Sequence, residues 1–154
     1  TVDVDLMIEA TRPDLVGLVS AVEGLDLYIS LDPWAEPRTR QFNVIDGSSG
    51  ARADIYDVSL EPRAGLAASA MARRRKRVLD PRSGRLAWFL SPEDVILYKL
   101  DFYARGGRVS SKHPEDIVKM LIVSGPEIDT AYVDRWADRL GVTDDWNALK
   151  TNKP

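Results

Sequence analysis

The sequence predicts an α+β fold, in which a mixed β-sheet core with helices is followed by a small C-terminal helical region. Apolar and polar side chains alternate along the first eight residues, as they do in a strand with one buried face. Residues 40–46 and 51–58 are two further strand-like runs around a glycine-bearing loop, which predicts a hairpin. From Ser91 onward, apolar residues recur at the three- and four-residue spacing of helices. We therefore divide the chain into a core at 1–90 and a helical cap at 91–150.

Helices and strands alternate through the rest of the core. Thr11 caps a predicted helix that continues to Gly24, because leucine and valine recur at helical spacing between them. Residues 25–29 return to strand-like alternation. Residues 32–37 predict a loop, since their two prolines are excluded from a central strand. Residues 63–74 are rich in alanine and predict a helix.

Two short strands and several helices complete the prediction. Residues 76–79 and 85–90 are strand-like runs around a turn at 80–84. Ser91-Pro92-Glu93-Asp94 places a capping serine, a proline at the first helical position and two acids in the first turn. This pattern predicts a helix that runs to about Ala104. The remaining predicted elements are a loop at 108–113, a helix opened by Pro114, a helix that holds Tyr132 and Leu140, and a last turn around Trp146.

The composition excludes several classes of chemistry. The 154 residues contain no cysteine, which excludes disulfides and thiolate metal sites. His113 is the single histidine, so a His-rich metal site or a Ser-His triad is close to excluded, and carboxylates and lysine must carry any chemistry. The net charge of −3 does not suggest a protein that coats nucleic acid. No apolar run approaches the roughly 20 residues that span a bilayer, and no signal peptide opens the chain, so we expect a cytoplasmic location without membrane contact.

Five cations are concentrated at residues 73–77. Such a run could attract a phosphate backbone or a triphosphate. It is also typical of a solvated helix end, where cations favour the negative pole of the helix dipole. The second interpretation is the one that we favour from the sequence.

Three aspartates are candidates for a metal site. Asp3 and Asp5 project from the polar face of the first predicted strand, where two carboxylates repel each other unless they share a cation. Asp54 lies in a second strand-like run, and pairing of the two strands brings it beside the other acids. Three hard oxygen ligands on adjacent strands suit Mg²⁺, whose usual partner in proteins is a phosphate. The alternative is an exposed strand face whose acids are only hydrated.

These residues resemble the DNA polymerase beta-like nucleotidyltransferase superfamily, and within it the bacterial branch related to the AbiEii abortive-infection toxins. The resemblance extends from residue 1 to about Trp146, and its pieces are residues 1–6, 42–46, 53–55, 91–100 and 115–117. It implies a nucleotidyltransferase-like fold that transfers a nucleotidyl group from a nucleoside triphosphate to a nucleic-acid or protein hydroxyl. It also implies Mg²⁺ as a cofactor, and RNA or a cognate antitoxin as a partner in a toxin-antitoxin system.

The resemblance gives the three aspartates their roles. Asp3 and Asp5 would bridge Mg²⁺ ions bound to the triphosphate, which neutralise charge and align the reacting oxygens. Asp54 would complete the site and orient or deprotonate the attacking hydroxyl.

Two residues of the helical cap also match the family. Lys99 matches a lysine that faces the nucleotide pocket, where it acts as a point charge on a phosphate. From the residues alone, a lysine whose stem covers apolar surface and whose head stays in water is an equal alternative. Asp116 matches a family acid near the start of the next helix, although acids are favoured there for electrostatic reasons alone. Glu115 is an equally good acid one position away, and His113 is typical of a loop or a cap.

The family's Gly-Ser turn, which binds the nucleotide phosphates, is absent from its expected place before Asp3. Gly47-Ser48 follows the acids at a hairpin tip, so we interpret it as turn chemistry. Either the gene product is longer or the chain has lost this element. A catalytically silent interaction or nucleotide-binding module of the same fold is therefore the alternative function. A carboxylate metal nuclease that needs no triphosphate is also left open.

The same difference concerns the first strand. In the family this strand pairs with a preceding strand that the sequence lacks, so residues 2–8 would present an open sheet edge. The edge has neither proline nor lysine to protect it. We expect a homodimer or a partner protein to cover this strand.

Overall fold

The computed structural model describes residues 3–31, 41–59 and 65–151. The chain forms two compact units, Thr1–Pro62 and Arg63–Pro154. The predicted loop at 32–37 lies outside the described residues, as does the start of the helix predicted at 63–74. The division that the sequence placed at Ser91 lies within the second unit, at the start of a helix.

The first unit is a four-stranded sheet with a helix. Its described elements are β1 (Asp3–Ile8), α1 (Arg12–Ala21), β2 (Leu27–Ser30), β3 (Gln41–Asp46) and β4 (Arg52–Asp57). β1 lies parallel to β4, and β3 pairs antiparallel with both β4 and β2. The resulting strand order β1-β4-β3-β2 puts β1 and β2 at the two edges.

Local side-chain bonds set the ends of these elements. Thr11 caps α1 as predicted, because its hydroxyl accepts the N–H of Asp14 at 3.4 Å and the Asp14 carboxylate accepts the N–H of Thr11 at 2.8 Å. In the β3–β4 turn, Oδ1 of Asp46 accepts the backbone N–H of Ser48 at 2.8 Å. Gly47-Ser48 is therefore part of a hairpin turn, in line with its sequence interpretation.

The apolar face of the sheet packs against α1. The core of the unit is formed by the buried side chains of Leu15, Phe42 and Ile55. On the edge strand β1, Ile8 packs against this core, whereas Val4 and Leu6 remain 47% and 42% exposed. The alternation of β1 directs its two aspartates to the opposite face of the sheet.

The second unit combines helices with a separate hairpin. Its described elements are α2 (Leu66–Arg73), β5 (Arg75–Asp80), β6 (Arg85–Phe89), α3 (Pro92–Arg105), α4 (Lys112–Ser124), a 3₁₀ turn (Gly125–Glu127), α5 (Thr130–Leu140) and α6 (Thr143–Thr151). β5 and β6 pair antiparallel as a two-stranded sheet. The buried core includes Leu66, Ile96, Leu97, Leu100, Ile117, Val133 and Trp146. Among the described residues, no helix has the length and apolar character that crossing a bilayer requires.

Helices and strands are mixed along the chain, as the sequence predicted, but several elements differ from their predicted bounds. α1 ends at Ala21 rather than near Gly24, and β2 is Leu27–Ser30 rather than 25–29. α4 begins at Lys112 rather than at Pro114, so His113 lies in a helix and not in a loop. A proline is tolerated in the first turn because the N–H groups there have no acceptor within the helix. The turn predicted around Trp146 is a helix of nine residues, α6.

Candidate functional site

Asp5 and Asp54 lie directly opposite each other on neighbouring parallel strands. The register of β1 and β4 pairs Asp3 with Arg52 and Asp5 with Asp54. Residues paired in this way share a face, and side chains two positions apart do so as well. All four side chains therefore project from the sheet face opposite the apolar core. We call this surface, defined by Asp3, Asp5, Arg52 and Asp54, the acidic face.

Arg52 supplies a cation between these acids. Its Nη2 lies 3.1 Å from Oδ2 of Asp54 and 3.8 Å from Oδ2 of Asp3. Oδ1 of Asp54 accepts a hydrogen bond from Nδ2 of Asn43 at 2.6 Å, and Asn43 lies opposite Asp54 on β3. The Asp54 side chain is only 13% exposed, whereas that of Asp3 is 48% exposed. Both carboxylate oxygens of Asp54 are thus bonded to side chains of its own sheet.

The charge of the acidic face also acts on Tyr56, which follows Asp54 by two positions. The Tyr56 hydroxyl accepts a hydrogen bond from Nε2 of Gln41 at 3.4 Å. Burial raises the pKa of Tyr56, the negative charges of Asp5 and Asp54 raise it further, and Arg52 opposes them. The tyrosine is therefore protonated beside the acids at neutral pH.

The donor chemistry of the acidic face fits a hard divalent cation. Mg²⁺ prefers carboxylate oxygens, and the bond from Asn43 fixes the orientation of Asp54 as an outer partner of a ligand does. Within residues 3–31, 41–59 and 65–151, no group of three or more carboxylate or imidazole side chains is close enough together to hold a metal ion. Binding by all three acids thus requires their side chains to converge and Arg52 to withdraw.

Lys99 and Asp116 are bonded to each other. Nζ of Lys99 donates to Oδ2 of Asp116 at 2.8 Å, which joins α3 to α4. This hydrogen bond lowers the pKa of Asp116, although burial opposes it. Both residues belong to the second unit, whereas the three aspartates of the acidic face belong to the first. The structure therefore bonds two of the predicted residues to each other in one unit and places the other three on one sheet face in the other unit.

His113 lies in the first turn of α4, close to the same pair. Its ring centroid is 6.3 Å from that of Phe102, so it packs on α3. Burial lowers the pKa of His113, and the charges of Lys99 and Lys112 lower it further. An uncharged ring at neutral pH is the result. Glu115, the alternative acid, is exposed.

A buried polar network joins α2, α3 and α5, and the sequence interpretation missed it. Asp94 is completely buried. Its Oδ2 accepts hydrogen bonds from the Ser91 hydroxyl at 2.6 Å and from Nε of Arg73 at 3.4 Å. Its Oδ1 accepts from the Tyr132 hydroxyl at 2.7 Å. Arg73 also donates to Oε2 of Glu93 at 3.0 Å.

The titration behaviour of the network follows from this bonding. Burial raises the pKa of Glu93, but a hydrogen bond from the N–H of Asp129, a bond with Ser91 and the charge of Arg73 outweigh it, so the pKa is lowered. Burial is also the main cause that raises the pKa of Tyr132 to about 12. The Arg73 guanidinium lies over the Tyr132 ring, 3.9 Å from its centroid. These bonds satisfy the buried charges and fix three helices relative to one another.

A groove runs along the end of α1 and β2, at the sheet edge opposite β1. Its lining includes Val19, Val22, Glu23, Leu27 and Tyr28. It contains none of the predicted site residues.

No protein-family model, curated protein or solved structure matches the chain.

Proposed function

We propose that the chain is a Mg²⁺-dependent nucleotidyltransferase-like protein related to the AbiEii branch. It would transfer a nucleotidyl group from a nucleoside triphosphate to a hydroxyl of RNA or of a protein, with release of pyrophosphate. The observation that carries this proposal is the pairing of Asp5 with Asp54 on adjacent parallel strands, with Asp3 on the same face. Like charges that lie opposite each other on neighbouring strands destabilise a sheet. A bound cation would offset this repulsion between Asp5 and Asp54, whereas hydration alone gives no reason for the two acids to be paired.

The three aspartates and Lys99 each have a role in this proposal. Asp3 and Asp5 would hold Mg²⁺, which when bound neutralises the charge of the triphosphate oxygens. Asp54, oriented by its hydrogen bond from Asn43, would complete the metal site and would orient the attacking hydroxyl or accept its proton. Lys99 would bind a phosphate once it is released from Asp116.

Arg52 extends the set of residues that the sequence predicted. Its guanidinium lies between Asp3 and Asp54, which is where the proposed cation binds. Arginine also binds phosphate oxygens through paired N–H groups. In this proposal, Arg52 neutralises the acids in the absence of metal and exchanges them for a phosphate when the metal and the triphosphate bind.

The same contact favours a second candidate, a catalytically silent module of the same fold. If Arg52 is the permanent counter-ion of Asp3 and Asp54, the metal site does not form. The protein would then bind a nucleotide or a partner without turnover.

Metal titration separates these candidates. Mn²⁺ binding is measured by calorimetry. Asp5→Asn and Asp54→Asn should each weaken it by more than roughly 10- to 100-fold, which is the usual cost of removing a residue that only hydrogen-bonds to a metal ligand. Glu9→Gln is the matched control, because it removes the same charge from an exposed acid directly after β1. Arg52→Met should strengthen Mn²⁺ binding, since a competing cation is removed. Equal binding by the wild type, Asp5→Asn and Asp54→Asn would contradict a metal site on the acidic face.

Transfer is then assayed with Mg²⁺ and each labelled nucleoside triphosphate, with and without RNA. Label transfer by the wild type that is lost in Asp5→Asn supports the nucleotidyltransferase. Metal binding that appears in Arg52→Met alone, with no transfer by the wild type, supports the silent module. Shortening of RNA with Mg²⁺ in the absence of triphosphate would instead support a metal nuclease.

A further inference from the structure

The β5–β6 hairpin concentrates positive charge in an otherwise acidic chain. Residues 74–89 contain six cations and one acid, a net charge of +5, so the rest of the chain carries −8 of the total of −3. The cations are Arg74, Arg75, Lys76, Arg77, Arg82 and Arg85. Among the described residues, no carboxylate lies within ion-pair distance of these six. The acid of the segment, Asp80, accepts the N–H of Arg82 at 2.9 Å in the turn.

The structure changes the interpretation of the basic run at 73–77. α2 ends at Arg73, and the following cations belong to β5 or lead into it. The favourable interaction with a helix C-terminus therefore applies to Arg73 and to Arg74, whose Nη1 donates to the carbonyl oxygen of Met71. It does not explain the cations that follow in β5. Arg73 itself is engaged in the buried network.

An exposed aromatic side chain lies among these cations. Trp88 is 57% exposed, and its ring centroid is 4.8 Å from Cζ of Arg74 and 5.6 Å from Nζ of Lys76. Phe89, also exposed, lies opposite Arg75 in the strand register. Exposed rings flanked by cations are the features with which proteins stack the bases and contact the phosphates of single-stranded nucleic acid.

We propose that the β5–β6 hairpin binds single-stranded nucleic acid, with a base stacked on Trp88 and phosphates bound by the surrounding cations. An isolated two-stranded hairpin is only marginally stable in water, so an ordered ligand along it also stabilises the hairpin itself. Duplex nucleic acid is a poorer ligand because its bases are already stacked on each other and offer no free face to the ring.

The distribution of side chains argues against a membrane surface. Surfaces that insert into a bilayer separate apolar from charged side chains. In this hairpin apolar side chains are more numerous on one face, but each face carries an exposed ring and at least one cation, as the register shows. One face carries Lys76, Val78, Leu86 and Trp88, and the other carries Arg75, Arg77 and Phe89.

This proposal is independent of nucleotidyl transfer, and its test leaves out metal and triphosphate. The probe is a fluorescein-labelled oligouridylate of about 12 nucleotides, within the ~4–16 that one binding surface covers. Fluorescence anisotropy is measured in EDTA at several salt concentrations. The same oligonucleotide annealed to its complement, and vesicles of anionic phospholipid, are the competing ligands.

Substitutions of the ring test stacking. Trp88→Leu should weaken binding about 5- to 150-fold, the loss of one stacked base, and Trp88→Phe should retain most of it. Cross-linking of a 4-thiouridine probe to the peptide that contains Trp88 and Phe89 gives the same information without a substitution. Binding of a folded Trp88→Leu variant as tight as wild type, or cross-links confined to other peptides, would overturn the proposal.

Substitutions of the cations test the phosphate contacts. The affinity falls as salt rises, and each phosphate contact of a single strand contributes roughly 0.7 to the steepness of log affinity against log salt. Arg75→Gln/Arg77→Gln should therefore make this dependence less steep by about 1.4. Arg135→Gln/Arg139→Gln is the matched control on α5. It removes the same charge from cations that lie 6.0 and 5.0 Å from the centroids of Tyr132 and Trp136, and these two rings are buried. Equal losses in both double variants, or tighter binding to the duplex or to the vesicles, would also overturn the proposal.

Discussion

At the scale of single residues, the ion pair of Lys99 with Asp116 changes the role that can be assigned to the lysine. The sequence left open a phosphate ligand or a lysine that covers apolar surface. The structure instead gives it Asp116 as a partner on the next helix, with both side chains about one quarter exposed. The pair thus links two helices, and any role at a phosphate has to compete with it.

Lys99→Met and Asp116→Asn should have opposite effects on triphosphate binding. Each variant should lower the free energy of unfolding by no more than about 1 kcal/mol, because the pair is partly exposed and screened by solvent. If Lys99 binds a phosphate, Lys99→Met loses triphosphate binding, whereas Asp116→Asn keeps or strengthens it by releasing the amine. Calorimetric titration with a nucleoside triphosphate measures the difference. Unchanged binding by Lys99→Met would remove Lys99 from the site.

Tyr132 predicts a pH dependence on the alkaline side. Its pKa is raised from 10.0 to about 12 in the folded protein, so the neutral hydroxyl favours the folded state. This contribution is fully present below pH 10 and is lost as the pH rises to about 12. The difference in unfolding free energy between wild type and Tyr132→Phe should therefore narrow across this interval. Urea unfolding at a series of pH values measures it, and a constant difference would contradict the raised pKa of Tyr132 in the folded protein.

At the scale of elements, local sequence patterns were sufficient to predict the start of α3 but not the buried polar network around Asp94. The Ser91 cap and the proline after it predicted the helix start correctly, because a cap depends on neighbours along the chain. The partners of Asp94 could not be predicted in this way. Arg73 and Tyr132 are 21 and 38 positions away in sequence, so their contacts depend on how the helices pack.

Asp94→Ala should be among the more destabilising substitutions in the second unit. It removes the buried acceptor that Arg73, Ser91 and Tyr132 share, although Arg73 keeps Glu93 as an acceptor. Each buried donor left unsatisfied costs about 1–3 kcal/mol. Asp138→Ala, at an exposed acid on α5, is the control and should change stability by less than about 0.5 kcal/mol. Urea denaturation compares the two, and equal midpoints would show that the network contributes little.

The acidic face shows the same division between local and non-local information. Alternation along β1 was enough to put Asp3 and Asp5 on one side of the strand. The role of Arg52 was not predicted. Its contact with Asp54 is local, two positions along β4, but its contact with Asp3 follows from the parallel register of two strands far apart in sequence. Sequence patterns identified the acids, and the strand register supplied their counter-ion.

At the scale of the whole molecule, the open edge of β1 predicts association. β1 is at the edge of the described sheet, and Val4 and Leu6 beside that edge are exposed. An edge of this kind tends to pair with another chain, so we expect a homodimer or a bound partner through β1. Sedimentation of residues 1–154 at micromolar concentration should show a dimer in the wild type and a monomer in Val4→Lys, because lysine protects an edge.

Val109→Lys is the matched control for this measurement. Val109 is the most exposed of the large apolar residues among those described, at 87%, and it lies in the loop between α3 and α4. The same substitution there should leave the association unchanged. A wild-type monomer, or equal loss of association in both variants, would contradict an interface at β1.

The parallel pairing of β1 with β4 also has a consequence for synthesis on the ribosome. β1 ends at Ile8 and its neighbour ends at Asp57, which is 49 positions later. At a translation rate of about 5–20 residues per second, roughly 2–10 s therefore pass between the synthesis of β1 and the synthesis of β4, the strand with which it pairs. The hairpin of β3 and β4 can close before β1 joins it. The segment with two of the three proposed ligands is thus exposed to chaperones and to neighbouring nascent chains until the rest of its sheet has been made.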